Sequence, residues 1–266
     1  MIEILDDVSG IYFNSSRFDL SLESGLDYSI RIPLPVSTEI KYRYVLVGNG
    51  TTYEFNSQGQ QVRFRIARIN GPEIIEDQVS GWASGQYSGP VGSITGQIID
   101  SATNAPIPNL LISAGGVQVL TTSDGTFEMI GLAAGKHNLV VYSMDGAYET
   151  FQQGAVVAEN ALTPVQLALR ARTKTKVTFE VVLPFGMDKS LPLRLVSNLQ
   201  PLGNAYAELA AGSAGSAVNY PQMKRVGINR YSMTLDLPVG FYLRYKYSFG
   251  DGFWNAELDK ESKFRV

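Results

Sequence analysis

The fold is decided by the stretch YRYVLVGNGTTYEF, residues Tyr42–Phe55, and by its partner YKYSFGDGFWNAEL, residues Tyr245–Leu258. Each stretch places an aromatic–basic–aromatic triplet before a glycine-centred turn, and an aromatic residue and a glutamate follow the turn. Alternating residues on either side of a short glycine turn are typical of two antiparallel strands joined in a hairpin. The sequence therefore predicts a hairpin near each end of the chain.

The two stretches belong to a longer internal repeat. Residues 28–54 and residues 231–257 align without gaps at a separation of 203 residues, with YSIRIPLPV opposite YSMTLDLPV. RFRI follows the first copy and KFRV follows the second. A match of this length, with turns in equivalent places, indicates two domains of one type.

Short alternating runs dominate the rest of the chain, and long helical patterns are absent. In EIKYRYVLV, tyrosines alternate with Lys41 and Arg43, and in QVRFRIAR, apolar residues alternate with Arg63 and Arg65. Such a period of two is typical of strands with one face in the core and one in solvent. Strands at this density, joined by short turns, predict β-sandwiches.

Composition excludes several classes of protein. The 266 residues suit two or three domains, and a net charge of −3 gives no basic surface for a nucleic-acid backbone. The chain has no cysteine, which excludes disulfides, thiolate catalysis and zinc–thiolate sites. Neither a signal-peptide pattern nor an apolar run of membrane-helix length is visible.

The middle of the chain has a different character. Residues 92–151 contain the turn NAPIPN, the hairpin TSDGTFEM and the runs LAAGKHNLVV and DGAY, after a strand that carries Gly96. Together these motifs resemble the carboxypeptidase regulatory-like family, which implies a small transthyretin-like sandwich. In the hairpin, Asp124 and Gly125 can supply the positive-φ turn, after which Phe127 and Met129 share a face.

The C-terminal repeat carries a second resemblance. VTFEVVLP, SNLQPLGN, YSMTLDLP and YKY, with a tryptophan–glutamate region before FRV, resemble the starch-binding domains of amylolytic enzymes. The resemblance implies a site where flat aromatic rings stack on glucose and a lysine and an asparagine bind hydroxyl groups. Lys246 keeps the lysine of that site. Ala205 and Ala256 stand at its two tryptophan positions, and Glu261 stands at its asparagine position.

Neighbouring residues offer a rewritten sugar site. Tyr206 lies beside the first lost tryptophan position, and Trp254 lies two residues before the second. In the N-terminal repeat Arg43 replaces the lysine, and Tyr53 keeps the aromatic residue before the glutamate. The resemblance thus implies the carbohydrate-binding residues Lys246, Trp254, Tyr206, Arg43 and Tyr53. The alternative is a structural role, with the triplet tyrosines in the core, the basic residue in solvent, and Trp254 against a neighbouring domain.

The first residues repeat a segment that ends the N-terminal domain. DDVSG at Asp6–Gly10 matches DQVSG at Asp77–Gly81, and the C-terminal repeat stops at KFRV without such a segment. We therefore expect residues 1–10 to be the closing strand of a preceding or neighbouring repeat. Either the chain is one piece of a longer array, or this strand completes the C-terminal sandwich of another copy. The second possibility would build a head-to-tail filament or ring through the residues Ile2, Ile4, Asp6 and Val8.

Side chains for catalysis do not form a recognisable motif. His137, the single histidine, lacks partners at triad or metal-ligand spacing. Glu54 and Glu257 stand singly in separate domains, whereas glycoside hydrolysis needs two acids in one cleft. The acidic pairs 6–7 and 76–77 leave calcium binding open as an alternative. We expect no enzyme, no catalytic residue, no resident metal and no cofactor.

These observations predict an all-β protein of three tandem immunoglobulin-like or transthyretin-like β-sandwiches. Residues 11–90 and 173–266 are starch-binding-like, the latter without its last strand, and residues 91–172 are carboxypeptidase regulatory-like. We expect a non-catalytic, secreted or cell-surface bacterial protein that is a scaffold or assembly subunit. Its expected partners are other copies of itself or further domains of the array, with neither nucleic acid nor a membrane span. The alternatives are a polysaccharide-binding module and, more weakly, an appendage of an amylolytic enzyme.

Overall fold

The computed structural model describes residues 1–6, 8, 15–85, 87–187, 190–202, 220–249 and 257 of the chain. Regular structure in these ranges is almost entirely β-strand, and the helical part of it is a single 3-10 turn, Gln200–Leu202. The strands lie in several separate sheets. The predicted all-β class is therefore confirmed.

The described residues of the first third of the chain form seven strands: β1 (Ile2–Ile4), β2 (Ser16–Phe18), β3 (Ser21–Ser24), β4 (Asp27–Ser29), β5 (Thr38–Val47), β6 (Thr51–Tyr53) and β7 (Arg65–Ile69). β5 is the central strand of the main sheet, whose order is β2-β1-β5-β6 with β7 also paired to β5. β5 and β6 form the predicted hairpin, in which Val47 pairs with Thr51 across the glycine turn. β3 and β4 form a separate hairpin.

The middle of the chain forms a sandwich of two sheets. Its strands are β8 (Val91–Asp100), β9 (Leu111–Ala114), β10 (Val117–Leu120), β11 (Thr126–Ala133), β12 (Gly135–Tyr142), β13 (Phe151–Val157) and β14 (Leu162–Leu169). The sheet orders are β10-β9-β12-β13 and β11-β8-β14, and one apolar core includes residues of both. The turn before β11 contains Gly125 at φ 68°, and Phe127 and Met129 both lie in the core, as predicted.

The last third contains β15 (Lys174–Val182), β16 (Leu193–Ser197), β17 (Lys224–Arg225), β18 (Arg230–Pro238) and β19 (Tyr245–Phe249). β18 lies between β15 and β17, and β16 pairs with β19. Alternate residues of β15 and β18 point into a shared core, in which Phe179, Tyr231 and Leu237 are buried.

The chain divides into two compact units. The first comprises Met1–Leu5, Ser15–Ser143 and Tyr148–Ala171, and the second comprises Asp6–Asn14, Met144–Ala147 and Arg172–Val266. The predicted third domain, 173–266, falls in the second unit, and the strands of the first two predicted sandwiches fall in the first. No helix in the described ranges has the length and apolar character needed to cross a membrane.

The two repeats share their hairpin register as well as their sequence. In the first repeat β3 pairs with β4 so that Leu22 lies opposite Tyr28. In the second repeat β17 pairs with β18 so that Arg225 lies opposite Tyr231. Both residues of each pair are 203 positions from their counterparts, so the sequence alignment and the strand pairing agree.

A second backbone feature recurs after the hairpin turn. The Glu54 N–H donates to the Tyr44 carbonyl at 3.2 Å, and the Glu257 N–H donates to the Tyr247 carbonyl at 2.9 Å. These residues also match at the same separation. The strand pattern that both ends share is thus visible in backbone hydrogen bonds as well as in sequence.

The leading strand has a different position from the predicted one. β1 lies inside its sheet, with Ile2 opposite Phe18 of β2 on one side and opposite Tyr44 of β5 on the other. In the second repeat β16 has this position, because Leu195 lies opposite Tyr247. β1 is therefore an interior strand equivalent to β16, so Ile2–Ile4 is not a closing strand. The segment from Asp6 onward, which carried that prediction, falls in the second compact unit together with residues 172–266.

The pairing of this strand within its own chain does not support the predicted donation to another copy. Ile2 and Ile4 are paired on both sides within their own chain. Val8 is fully buried in a cluster with Val196 and Tyr220 of the same chain. A strand with both edges paired has no backbone groups left to complete a second sheet, so head-to-tail assembly through these residues loses its basis.

Candidate functional site

The candidate site of the first unit is a set of charged side chains buried on and beside β5. Lys41 and Arg43 are 4% and 1% exposed, although the alternation predicted them in solvent. Tyr42, between them on the opposite face, is 2% exposed. Since both faces of β5 are covered, residues of both parities are buried, and the prediction of one solvated face is wrong here.

Arg65, the first residue of β7, is the centre of the larger charged group. Its Nη2 lies 2.8 Å from Glu54 Oε2, and its Nη1 lies 3.0 Å from Asp77 Oδ1. The same Nη2 also donates to the carbonyl of Gln78 at 2.9 Å. The planar guanidinium therefore binds two carboxylates and one carbonyl at once, which the fork geometry of arginine allows.

The two carboxylates have further donors. The Tyr42 and Tyr44 hydroxyl groups donate to Asp77 Oδ2 at 2.5 and 3.1 Å. The Tyr44 backbone N–H donates to Glu54 Oε1 at 2.9 Å. Burial alone would lower the pKa of Arg65, but the charges of Glu54 and Asp77 raise it well above its ordinary value. Burial and the Asp77 charge raise the pKa of both tyrosines, so these hydroxyl groups remain protonated donors.

A second charged group links β1 to β5. Glu3 Oε2 lies 2.6 Å from Arg43 Nε, and Glu3 Oε1 lies 2.8 Å from Arg17 Nε on β2. The Arg43 guanidinium also stacks over the ring of Tyr53 at 4.0 Å. Burial alone would raise the pKa of Glu3, but hydrogen bonds from Arg43 and Arg17 lower it below its usual range. This group therefore fixes the leading strand against the centre of the sheet.

In the second unit Lys246 stands at the position of Arg43. Its side chain is fully buried, and burial lowers its pKa to about 8, against opposing charges on Asp6 and Glu257. Asp6 is 3% exposed, accepts the Val8 backbone N–H at 2.9 Å and lies 3.5 Å from Arg244 Nη2. The two repeats thus bury a basic residue at the same strand position, each beside a carboxylate from the first six residues of the chain.

The predicted sugar-binding residues do not form an accessible site in the described part of the chain. Arg43 and Lys246 are covered, and Tyr53 is half-buried under the Arg43 guanidinium. A polysaccharide requires groups that its rings and hydroxyls can reach, and the burial of Arg43 and Lys246 does not favour the predicted role. Trp254 and Tyr206 lie outside the described residues.

The structural alternative agrees with the structure only for a tyrosine of the first triplet, because the basic residue of both triplets is buried and not in solvent. Tyr42 is a core residue of the first unit, as that alternative predicts. Tyr245 is 38% exposed and contacts the rings of Phe179 and Tyr247 edge-on, at 5.0 and 5.9 Å between centroids. The polarity of β19 is thus the reverse of the expectation, because its lysine is inside and its first tyrosine is partly in solvent.

The remaining candidates have structural surroundings. His137 is 1% exposed, its Nε2 lies 2.7 Å from the Ala133 carbonyl, and burial lowers its pKa. Asp77, one of the residues considered for calcium, is bound to Arg65. Within the described ranges, no group of three or more acidic, histidine or cysteine side chains is arranged to hold a metal ion.

Sequence reasoning missed the ion pairs as such. Arg65 and Glu3 alternate with apolar neighbours in the way that solvated residues do, so period alone could not reveal them. One signal was present: Asp77 belongs to the DQVSG segment that repeats the start of the chain. The repeat therefore indicated that the DQVSG segment matters for the fold, but it did not show that Asp77 binds Arg65.

Comparison with known proteins gives no family, since no family model and no curated protein matches the chain. Similar solved structures include a streptococcal ancillary pilin, at 9% identity over 94% of this chain and 81% of that one, with a TM-score of 0.29. They also include the group B streptococcus pilus 2b backbone protein, at 13% over 54% and 52%, with a TM-score of 0.26. A DUF3823 family protein from Bacteroides uniformis matches at 11% over 60% and 89%, with a TM-score of 0.24. This chain spans about half of the group B streptococcus protein, and similarity at this level carries no functional argument.

Proposed function

We propose that the protein is a non-catalytic scaffold built from β-sandwich modules. One observation carries the proposal: the charged groups that would do chemistry are buried and bound to one another. Arg65 binds Glu54 and Asp77, and Arg43 binds Glu3. Groups used in this way hold strands in register and are not available to a substrate.

The physical role of such pairs supports a scaffold. Breaking a buried ion pair leaves an uncompensated charge in the interior, which disfavours alternative pairings of the same strands. In the first unit Glu3 joins β1 to β2 and β5 through two arginines. Arg65 joins β7 to the segments that carry Glu54 and Asp77. A module that has to keep one shape under varying external conditions benefits from this arrangement.

The location belongs to the same proposal. We place the protein at the surface of a bacterial cell or outside it, where a β-sandwich array without cysteine needs no particular redox environment. Surface labelling of intact cells of the source organism with an impermeant amine reagent tests this location. Labelling that requires lysis would contradict it.

Polysaccharide binding remains the second candidate, since the triplet strand of the C-terminal repeat leaves Tyr245 partly exposed beside Phe179. Trp254, from the stretch that follows β19, would provide the flat ring.

A pull-down on insoluble starch separates the two candidates, with Trp254→Ala as the comparison variant. The scaffold proposal expects no more retention than an unrelated β-protein shows, for wild type and variant alike. Retention of the wild type that is lost in Trp254→Ala would support the sugar-binding candidate and overturn the scaffold proposal as stated.

A further inference from the structure

A group of large apolar side chains is exposed at one end of the second unit. Two neighbouring segments carry it: residues 182–191, between the end of β15 and β16, and residues 226–228, in the turn between β17 and β18. The Leu183 N–H donates to the Asn229 carbonyl at 2.9 Å, so the two segments begin side by side. Single exposed apolar residues are common, whereas a group of them marks an interaction surface. This group, the apolar tip, consists of Val182, Phe185, Met187, Leu191, Val226 and Ile228.

The two most exposed side chains of the apolar tip protrude from turns. Phe185 is 96% exposed, and Ile228 is 78% exposed. Leu183, two residues before Phe185, is buried in the core of the unit. Gly186, directly after Phe185, has φ 85°, in the left-handed region that favours glycine. A ring with almost no protein neighbours stands on a protrusion and not in a groove, so an occupant of the apolar tip has to surround it.

The backbone of the second turn is hydrogen-bonded within the turn. The Val226 and Gly227 N–H groups donate to the Arg230 carbonyl at 2.9 and 3.2 Å. Arg225 donates from Nε to the Gly227 carbonyl at 3.0 Å and from Nη2 to the Ile228 carbonyl at 2.8 Å. Unpaired backbone groups are costly wherever water is excluded. These bonds therefore let the turn enter a water-poor environment without leaving those groups unpaired.

The rim of the apolar tip is basic. Lys224, Arg225 and Arg230 are exposed beside it. Arg230 lies opposite Val182 in the β15–β18 register, so it stands next to the apolar residues. Glu180, 3.9 Å from Arg230, is the one acidic residue in the described parts of residues 180–191 and 224–230, and the two residues of these ranges that are not described carry opposite charges. The rim is therefore net positive, which favours a negatively charged occupant.

The equivalent turn of the first repeat has the opposite charge. At the separation of 203 residues, Glu23 corresponds to Val226, and Asp27 corresponds to Arg230. Leu26 of that turn is 90% exposed, but in sequence it stands between these two acidic residues. Both repeats thus expose an apolar residue in this turn, and the second repeat combines it with basic neighbours. The combination is a property of the second unit and not of the strand pattern that the repeats share.

We propose that the apolar tip inserts into the surface of an anionic lipid bilayer and holds the protein there peripherally. Phe185 and Ile228 enter the boundary between headgroups and acyl chains, and the three basic residues of the rim contact lipid phosphates. A bilayer surrounds a protruding side chain without a matching groove, whereas a protein partner would need a pocket for each turn. The inference adds a binding partner to the scaffold role and does not depend on that role.

Flotation of the full chain with lipid vesicles tests the proposal. We expect binding to vesicles of phosphatidylcholine mixed with phosphatidylglycerol, weaker binding to phosphatidylcholine alone, and a decline as the salt concentration rises, because salt screens exposed charges. Phe185→Ser and Ile228→Ser should each weaken binding about tenfold or more, since each removes a large apolar side chain from the membrane. Arg230→Gln should weaken binding about fivefold.

Leu26→Ser is the matched control, because it removes an equally exposed apolar side chain from the acidic turn of the first repeat. It should leave binding to the mixed vesicles unchanged. Since all the substituted side chains are exposed, each variant should keep the melting temperature of the wild type, which circular dichroism checks.

Four results would overturn the inference. The wild-type chain fails to float with the mixed vesicles, or it binds phosphatidylcholine alone as tightly. In the third, binding survives both serine substitutions in the apolar tip, so that charge alone holds the protein. In the fourth, the chain self-associates without vesicles and Phe185→Ser makes it monomeric, so that a second copy covers the apolar tip.

Discussion

Replacement of Arg65 by methionine is the sharpest test of how the first unit is held together. Arg65 binds Glu54 and Asp77, whose side chains are 0% and 2% exposed. Removing one partner of a buried ion pair costs about 3–5 kcal/mol, because the remaining charge is left without compensation. Both carboxylates keep donors from Tyr42 and Tyr44, so the loss should stay in that range and not double.

The assay is urea unfolding followed by the fluorescence of Trp82, in a Trp254→Phe background that leaves Trp82 as the single tryptophan. Lys136→Met is the matched control, because the Lys136–Glu76 pair lies in the same unit with side chains 64% and 57% exposed. An exposed pair of this kind is worth about 0–1 kcal/mol. If Arg65→Met lowers the free energy of unfolding no more than Lys136→Met does, the buried charges do not hold the fold together as argued.

Three further predictions concern other sites. Burial lowers the pKa of His137 from 6.5, so below pH 6.5 this side chain is protonated in the unfolded chain before it is protonated in the folded one. The free energy of unfolding should therefore fall as pH drops below 6.5. Urea titrations of His137→Gln should lack this part of the decline. Burial lowers the pKa of Lys246 from 10.5 to about 8, so wild-type stability should fall as pH drops from 10.5 through 8. Lys246→Met should therefore raise the free energy of unfolding at neutral pH, by about 3 kcal/mol at most. A Lys246→Met variant that is less stable than wild type would contradict this. A Cβ on Gly96 would lie 2.1 Å from the Val165 carbonyl oxygen, so Gly96→Ala should lower stability by about 1–3 kcal/mol, whereas Gly154→Ala, with open space around it, should leave the melting temperature nearly unchanged.

Much of the fold was predictable from sequence because its signals are local. The alternation in residues 38–47 and the glycine turn after it predicted the β5–β6 hairpin. Asp124 and Gly125 predicted the turn that precedes β11. The internal repeat predicted equivalent hairpins, and Tyr28 and Tyr231 do lie at the same register position.

The position of β1 was not predictable in the same way. DDVSG resembles a segment that ends the N-terminal domain, and that likeness suggested a closing strand. The pairing partners of a three-residue strand depend on which edges are open once the rest of the sheet has formed. The structure places Ile2–Ile4 between β2 and β5, a result that involves residues far apart in the chain.

By itself, the sequence determined that this protein is made of strands, where its hairpins turn, and that its two ends follow one pattern. An alternating pattern separates the two faces of a strand but does not say what covers either face. Only the tertiary structure decided that Arg43 and Lys246 point into the interior and that Glu3 and Arg65 bind buried partners. Burial and pairing depend on neighbours distant in sequence, and for that reason they appear only when the strands are assembled.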